Sequence, residues 1–438
     1  MSLQLIRDTF LPKAKPNEPP LWKQKIPIIL VLAFSLTVFT HGLNTPIGVI
    51  TPPTAILVIG LILTFFTRMS EARPLLPPGV LSTPVVIASL CYFAAGIFSG
   101  LGAADKMMWM KEIVQRTIII ILPLLLFILT PKKPEQIKFA IMTYIPLCLF
   151  VVVFASNDAR QTGMAEASYT LGMHKNQVAG SCSIMSTIAI AAILTNRADK
   201  KFKWLMVAVA AAGALGCFAA QGKAGMLCII VATIFMFFAA KTSPRTFITF
   251  FLTCIISAAI MWKVMPDKAR EHVVSTKKFS TTEIRMSLWT DVWPLLVAEP
   301  MTMVGWGNPL VKNVGGGEDK WFGDCANVLL NDWFQMTLLG PICLLGVIIT
   351  SIKQGLDNAK RLPLYSVLGF INLVALGSVC GRFTHAQLDT FWIGRGVTLV
   401  TWAAIGMMIW IKLYLLQLDQ TKLSRKRAAG KSLASTAR

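Results

Sequence analysis

The chain has 438 residues, of which 55% are hydrophobic and only 14% are charged, and its mean hydropathy is +0.63. Since roughly a quarter of the residues in soluble domains are charged, this composition argues against a soluble domain and predicts a membrane protein. The formal net charge of +21 would also suit a nucleic-acid-binding protein, but the basic residues lie in short segments between apolar runs, so we predict no nucleic-acid partner.

Apolar runs of about 17 or more residues recur along the chain, and each is long enough to cross a bilayer. The runs lack the alternation of a β-barrel, so we predict helices. After a basic leader, residues 1–25, nine spans are predicted at 26–43, 47–67, 82–102, 116–130, 137–155, 176–195, 203–220, 223–240 and 246–265. Three more follow at 327–351, 364–380 and 389–415, before a basic tail over 416–438. The predicted fold is an all-α, polytopic membrane helix bundle of about 12 transmembrane helices.

Lysine and arginine collect in every second connection between the predicted spans. These segments are 132–138, 197–203, 241–245, 353–361 and the tail. Basic residues favour the cytoplasmic side of a membrane, so both termini are predicted to be cytoplasmic. The same charges predict attraction to anionic membrane lipid.

One long polar segment, 266–326, separates the ninth and tenth predicted spans and falls on the outer side. Within it, 281–294 is predicted to form an amphipathic helix at the membrane interface. Its apolar residues recur at helical spacing: Ile284, Leu288, Trp289 and Val292.

The nine cysteines are scattered and form no Cys-x-x-Cys or Cys/His metal spacing, so we predict neither a metal nor a cofactor. Cys325 and Cys380 fall near the outer face, and the sequence leaves a disulfide between them open.

Four basic residues fall near the outer face, where the topology depletes them: Lys175, Lys223, Arg285 and Arg395. Arg395 lies inside the last predicted span, where a guanidinium usually faces a cavity or the bundle interior. The four predict a cationic pocket for an anionic guest half-embedded in the bilayer, such as a lipid diphosphate. Two simpler interpretations stay open: Lys175 and Lys223 as helix-end anchors, and Arg395 paired with Asp389.

Several segments resemble motifs of a known family. The segment 172–179 resembles the signature that opens a central span of bacterial O-antigen ligases and exopolysaccharide polymerases. The stretch 283–307 resembles their outer-loop motif, Arg-x-x-x-Trp followed by Pro and Gly-x-Gly, and 327–346 and 389–395 resemble their closing spans. The resemblance extends over about 160–400.

The resemblance implies a multi-pass glycosyltransferase of the bacterial inner membrane, with a metal-independent active site on the periplasmic side. It would move an oligosaccharide from undecaprenyl diphosphate to a sugar hydroxyl. The catalytic residues implied are Arg285 and Lys223 on the diphosphate, Asn331 for the acceptor, and Asp332 as the candidate base. The substrate-binding residues implied are Arg395, Lys175, Asn176, Arg160, His174, Trp289 and His385.

One departure from the family bears on the acceptor. These enzymes usually carry a histidine at the start of the third-last span, and Asn331 stands there in this chain. An asparagine cannot accept a proton at neutral pH, so ligase chemistry is less favoured than polymerase chemistry. The expected product is an exopolysaccharide or O-antigen polymer, and the alternative acceptor is the lipid A core. A transporter or lipid-linked-oligosaccharide flippase is the alternative from another class of protein.

Overall fold

The computed structural model describes residues 19–38, 43–45, 48–161, 173–196, 199–220, 222–248, 250–252, 259, 263, 281–313, 319–323, 325–388 and 395–436. Within these ranges the chain is mainly helical, with two short antiparallel hairpins. The strands are β1 Leu43–Thr45 and β2 Gly48–Ile50, then β3 Leu310–Asn313 and β4 Asp319–Phe322.

The helices connect through mostly short turns. They are α1 Lys25–Ser35, α2 Pro52–Ser70, α3 Pro84–Phe98, α4 Lys106–Arg116, α5 Leu122–Leu129, α6 Pro134–Gln161, α7 Lys175–Thr195, α8 Lys200–Ala219, α9 Lys223–Ala240, α10 Thr281–Ala298, α11 Val328–Met336, α12 Leu339–Arg361, α13 Val367–Ala386 and α14 Arg395–Thr436. A π-helical turn, Thr117–Ile121, joins α4 and α5 into one long element. Among the described residues, 10 helical elements are long and apolar enough to cross a membrane. This confirms the all-α, multi-pass architecture.

Two of the 12 predicted spans, the first and the ninth, are not among those 10 elements. The first helical segment, Lys25–Val38, is shorter than the others. Most of the predicted ninth span, 246–265, lies outside the described residues.

The structure corrects several predicted boundaries. The fourth span begins at Lys106 rather than at 116, because Glu112 and Arg116 pair inside the bundle instead of ending the helix. The predicted span 327–351 is broken at Thr337, whose φ of 62° separates α11 from α12. The predicted tail, 416–438, continues α14 as helix as far as its last described residue.

Three helices form the centre of the bundle. Of the apolar windows of α7, α13 and α14, 83%, 78% and 78% are buried inside the protein. Small residues allow the close approach of α7 to α8: a Cβ on Gly213 would lie 2.2 Å from Ser186 Oγ, and one on Gly216 would lie 2.5 Å from Cys182 Sγ. Such small-residue contacts are common where membrane helices pack without a hydrophobic driving force.

The long outer segment folds against itself as well as against the bundle. Val292 and Leu296 of α10 are fully buried in a small apolar cluster with residues of the second hairpin and α11, among them Phe322 and Phe334. The predicted helix is present, at Thr281–Ala298, but it is not amphipathic, because apolar residues also lie on its exposed side: Met286, Trp293 and Val297 are each more than half exposed.

The two ends of the bundle are formed by different elements. We call the end that carries α10, α11 and the second hairpin the loop end; the first turns of α7 and α9 and the last turn of α13 also lie there. The opposite end, which we call the basic end, holds the start of α1 and the ends of α2 and α5, with Lys25, Arg68, Arg73 and Lys132 around one cavity.

Candidate anion-binding site at the loop end

Three helix ends meet at the loop end because their terminal turns carry small residues. A Cβ on Gly222, the N-cap of α9, would lie 2.1 Å from the Cβ of Ala179 in the second turn of α7. A Cβ on Gly381, near the end of α13, would lie 2.7 Å from Cys228 Sγ in α9. The partial positive charge at the first turns of α7 and α9 favours anions at this end of the bundle.

Arg382 and His385 lie in the last turns of α13 and are almost completely buried, with 1% and 0% of their surfaces exposed. Arg382 Nη1 donates a hydrogen bond to His385 Nδ1. The guanidinium also interacts electrostatically with Cys228 of α9 and Tyr144 of α6, so it lies inside the bundle. A charged side chain within a membrane helix usually faces such an interior and marks a functional site.

The hydrogen bond from Arg382 fixes the tautomer of His385. Since Nδ1 accepts this bond, a neutral imidazole carries its proton on Nε2 and presents a donor there. His385 Nε2 is buried and has no hydrogen-bond partner within the described part of the chain. A buried donor of this kind suits the oxygen of an anionic ligand.

Arg285, on the outer-segment helix α10, is half-buried and acts electrostatically on His385. The structure thus brings together two of the residues that the sequence singled out, Arg285 and His385, and adds Arg382. We call these three residues the loop-end cation cluster.

The other predicted cations lie nearby in the fold but in different environments. Lys223, the first residue of α9, is exposed, and Lys175, the first residue of α7, is half-buried. Arg160 is exposed in the last turn of α6. Arg395 begins α14, and its side chain lies outside the described residues, as does Asp389.

His174 and Asn176 form the start of α7. His174 Nδ1 accepts a hydrogen bond of 3.3 Å from the Asn176 backbone N–H, and the Gln177 side chain accepts one of 3.2 Å from the His174 N–H. Partial burial, and then the charge of Lys175, lower the pKa of His174, which keeps Nδ1 able to accept. In the structure His174 therefore caps a helix. Asn176 itself is buried, with 8% of its surface exposed.

Asn331 and Trp289 hold the chain at Cys325. The Cys325 N–H donates to Asn331 Oδ1 over 3.0 Å, and Trp289 Nε1 donates to the Cys325 carbonyl over 2.7 Å. Both side chains thus have structural bonds that fix α11 to α10. Neither Cys325 nor Cys380 is in a disulfide, so the bond that the sequence left open is not formed.

Asp332 belongs to a second group of buried residues. Its carboxylate accepts a hydrogen bond of 2.8 Å from Tyr92 of α3, and Arg116 and Glu112 of α4 are the charged groups that act on it. Arg116 Nε lies 2.5 Å from Glu112 Oε1. The structure therefore places Asp332, the predicted base, with the Glu112–Arg116 ion pair.

The Gly305–Trp306–Gly307 loop packs against these buried residues. Trp306 is fully buried, its ring centroid is 5.6 Å from that of Tyr92, and the Arg116 guanidinium lies 4.9 Å from the indole ring centroid. A Cβ on Gly96 would lie 2.1 Å from the indole, so α3 has a glycine where the ring enters. We call Glu112, Arg116, Tyr92, Trp306 and Asp332 the buried ion network.

The sequence interpretation missed Arg382 and Arg116 because it ended one predicted span, and began another, at these charges. A signal was present in both cases. Arg382 and His385 are three residues apart, and Glu112 and Arg116 are four apart, so each pair falls on one face of a helix.

Among the described residues, no group of three or more His, Cys, Asp or Glu side chains is placed to hold a metal ion. No protein-family model matches the chain, and no curated protein matches it in sequence.

Proposed function

We propose that this protein is a membrane glycosyltransferase that moves an oligosaccharide from undecaprenyl diphosphate to a sugar hydroxyl at the periplasmic face. In this proposal it acts as an exopolysaccharide or O-antigen polymerase. One observation carries the proposal: Arg285 of the outer segment acts electrostatically on His385, which accepts a hydrogen bond from the buried Arg382 at the loop end of a membrane bundle. The resemblance to O-antigen ligases and polymerases also includes Arg285.

The chemistry of the cluster suits a lipid diphosphate. A guanidinium offers a planar fork of donors to phosphate oxygens, and each charge-assisted hydrogen bond contributes roughly 1.5–3 kcal/mol. His385 Nε2 adds a neutral donor. Lys175 and Lys223, at the first turns of α7 and α9, add positive charge at the same end of the bundle.

In the transfer, the bond between the anomeric carbon and the diphosphate oxygen breaks, and the acceptor oxygen forms the new glycosidic bond. The acceptor hydroxyl loses its proton as the bond forms, and the released diphosphate takes that proton up. The cluster would stabilise the negative charge that builds up on the leaving group, and positioning supplies much of the remaining catalysis. Asp332 is hydrogen-bonded to Tyr92, whose ring packs against Trp306, so we assign it to positioning Tyr92 instead of to proton removal.

A transporter or flippase of lipid-linked oligosaccharides is the second candidate. Two arginines, Arg116 and Arg382, are each 1% exposed and lie within helices long enough to span a membrane. Buried charges within spans also line substrate pathways in transporters.

The test is a transfer assay with purified full-length protein and an undecaprenyl-diphosphate oligosaccharide, with and without lipid A core. We expect longer lipid-linked chains in the absence of core, and their loss in Arg285→Ala. Lys312→Ala serves as the control, because Lys312 lies in the same outer segment but pairs with Glu299. Glycan on the core would instead identify a ligase. No transfer to either acceptor, from folded protein, would contradict the proposal and favour transport.

A further inference from the structure

A cavity of about 780 Å³ opens at the basic end of the bundle, at the opposite end from the loop-end cation cluster. Its walls come from the start of α1, the ends of α2 and α5, and the part of α14 around Trp410 and Tyr414. Its volume falls within the roughly 300–1,000 Å³ of typical ligand sites.

The rim of this cavity is cationic. It carries Lys25, Arg68, Arg73 and Lys132 and one carboxylate, Glu71, which leaves a net charge of +3. Glu71 lies between two of these cations, with Oε1 2.7 Å from Lys132 Nζ and Oε2 3.0 Å from Arg73 Nε. One carboxylate is thus shared by two cations that are each partly exposed, with 38% and 50% of their side chains accessible.

Backbone contacts fix the shape of the rim. Arg68 donates to the Pro74 carbonyl through Nε over 2.9 Å and through Nη2 over 2.8 Å, and to the Leu129 carbonyl through Nη1 over 3.1 Å. Trp410 Nε1 donates to the Pro131 carbonyl over 3.0 Å. Arg68 ties α2 to the end of α5, and Trp410 ties α14 to the turn that follows, so the cavity is formed by rigid helix ends.

Below the rim the walls are apolar and partly open to the side of the bundle. Ile28 of α1 and Leu63 of α2 are 39% and 49% exposed, and both line the cavity. Trp410 and Tyr414 stack with ring centroids 5.0 Å apart. Basic side chains near the ends of membrane helices reach to the headgroup level, so we place the rim at the level of the lipid phosphates and the apolar walls beside the acyl chains.

From this combination we propose that the cavity binds one anionic phospholipid. The phosphate contacts the rim cations Lys25, Arg73 and Lys132, and an acyl chain lies along Ile28 and Leu63. A cationic rim selects negative charge, and only a ligand with an attached hydrocarbon chain also uses the apolar walls. A soluble phosphate or phosphate ester would meet the first requirement alone.

The experiment is a lipid titration of the full-length protein in detergent, read by native mass spectrometry, with dioleoylphosphatidylglycerol and dioleoylphosphatidylcholine as probes. We expect tighter binding of the phosphatidylglycerol. The double variant Arg73→Gln/Lys132→Gln should weaken that binding by roughly five- to thirtyfold, because each basic group near a membrane surface contributes about fivefold. Lys200→Gln/Lys201→Gln is the matched control, since both lysines are exposed at the start of α8, away from this cavity.

Glu71→Gln is expected to strengthen binding, a result that a misfolded protein would not give. It removes the carboxylate shared by Arg73 and Lys132, so phosphatidylglycerol should bind more tightly than to the unaltered protein. Equal affinity for the two lipids, or an equal loss in the control variant, would overturn the proposal. Displacement of the phosphatidylglycerol by an equal concentration of glycerol 3-phosphate would also overturn it, because the site would then recognise a soluble anion.

Discussion

The two groups of buried charges near the loop end are built differently, although each contains an arginine that is 1% exposed. In the buried ion network, Arg116 has a carboxylate, Glu112, 2.5 Å away and the Trp306 ring against its face. In the loop-end cation cluster, Arg382 donates a hydrogen bond to His385, and the guanidinium of Arg285 also acts electrostatically on His385.

The comparison separates a structural use of charge from a binding use. A buried cation beside a buried anion is compensated internally, and breaking the pair is costly to the fold. In the loop-end cation cluster, the buried donor His385 Nε2 has no hydrogen-bond partner among the described residues, and a donor of this kind beside guanidinium groups suits the oxygen of a bound anion. We therefore expect substitutions in the network to affect stability, and substitutions in the cluster to affect binding and activity.

The largest expected effect is the loss of Arg116. Arg116→Ala leaves the largely buried Glu112 carboxylate without its partner, and we expect a loss of about 3–5 kcal/mol of stability. The measurement is thermal unfolding in detergent. The double variant Glu112→Gln/Arg116→Met removes both charges and should cost less than the single change. Equal losses in the two variants would show that the ion pair is not what holds this region.

The next effect concerns activity. Arg382→Gln should lower the transfer rate by about ten- to a hundredfold, the equivalent of one charge-assisted hydrogen bond to a phosphate. The melting temperature should change little. Arg382→Lys retains the charge but loses the planar fork, so it should recover part of the rate. A large fall in melting temperature with an unchanged rate would place Arg382 with the structural group.

A smaller effect is expected at the edge of the network. Tyr92→Phe deletes the hydroxyl that donates to Asp332 and leaves a buried carboxylate short of one hydrogen bond. Such a change costs roughly 1–3 kcal/mol. Thermal unfolding of Tyr92→Phe beside Tyr414→Phe, which alters an aromatic stack at the other end of the bundle, checks the difference. If the two variants unfolded alike, the Tyr92–Asp332 bond would contribute little.

The smallest effect is a pH dependence at the start of α7. The pKa of His174 is lowered from 6.5 in the folded protein, so the unfolded chain binds the proton more tightly. The contribution of the neutral His174 cap to the free energy of unfolding is therefore complete above pH 6.5. It is lost as the pH falls below 6.5, because the unfolded chain then takes up the proton more readily than the folded protein. His174→Asn keeps a capping side chain without a titration, and it should flatten this part of the profile. An unchanged slope between pH 7 and 5 would assign the dependence to other groups.

The sequence by itself predicted the class of fold. Long uncharged runs have few alternatives in a bilayer, because backbone groups must bond within a helix there. The same reasoning placed a helix at 281–294, and the structure has α10 at Thr281–Ala298. It also singles out Arg285 and His385 as candidates, and these two residues interact electrostatically in the structure.

The tertiary structure decided which charges are buried, and with which partners. The predicted spans end at 380, before Arg382, and begin at Arg116, because a charge is costly in lipid, yet both arginines lie inside the bundle, where packed helices replace lipid. Asp332 and Asn331 are adjacent in sequence, but their side chains bond to Tyr92 and Cys325 in different parts of the fold. Local patterns specify helices and their apolar runs, whereas contacts between residues as far apart as 92 and 332 depend on how the helices pack.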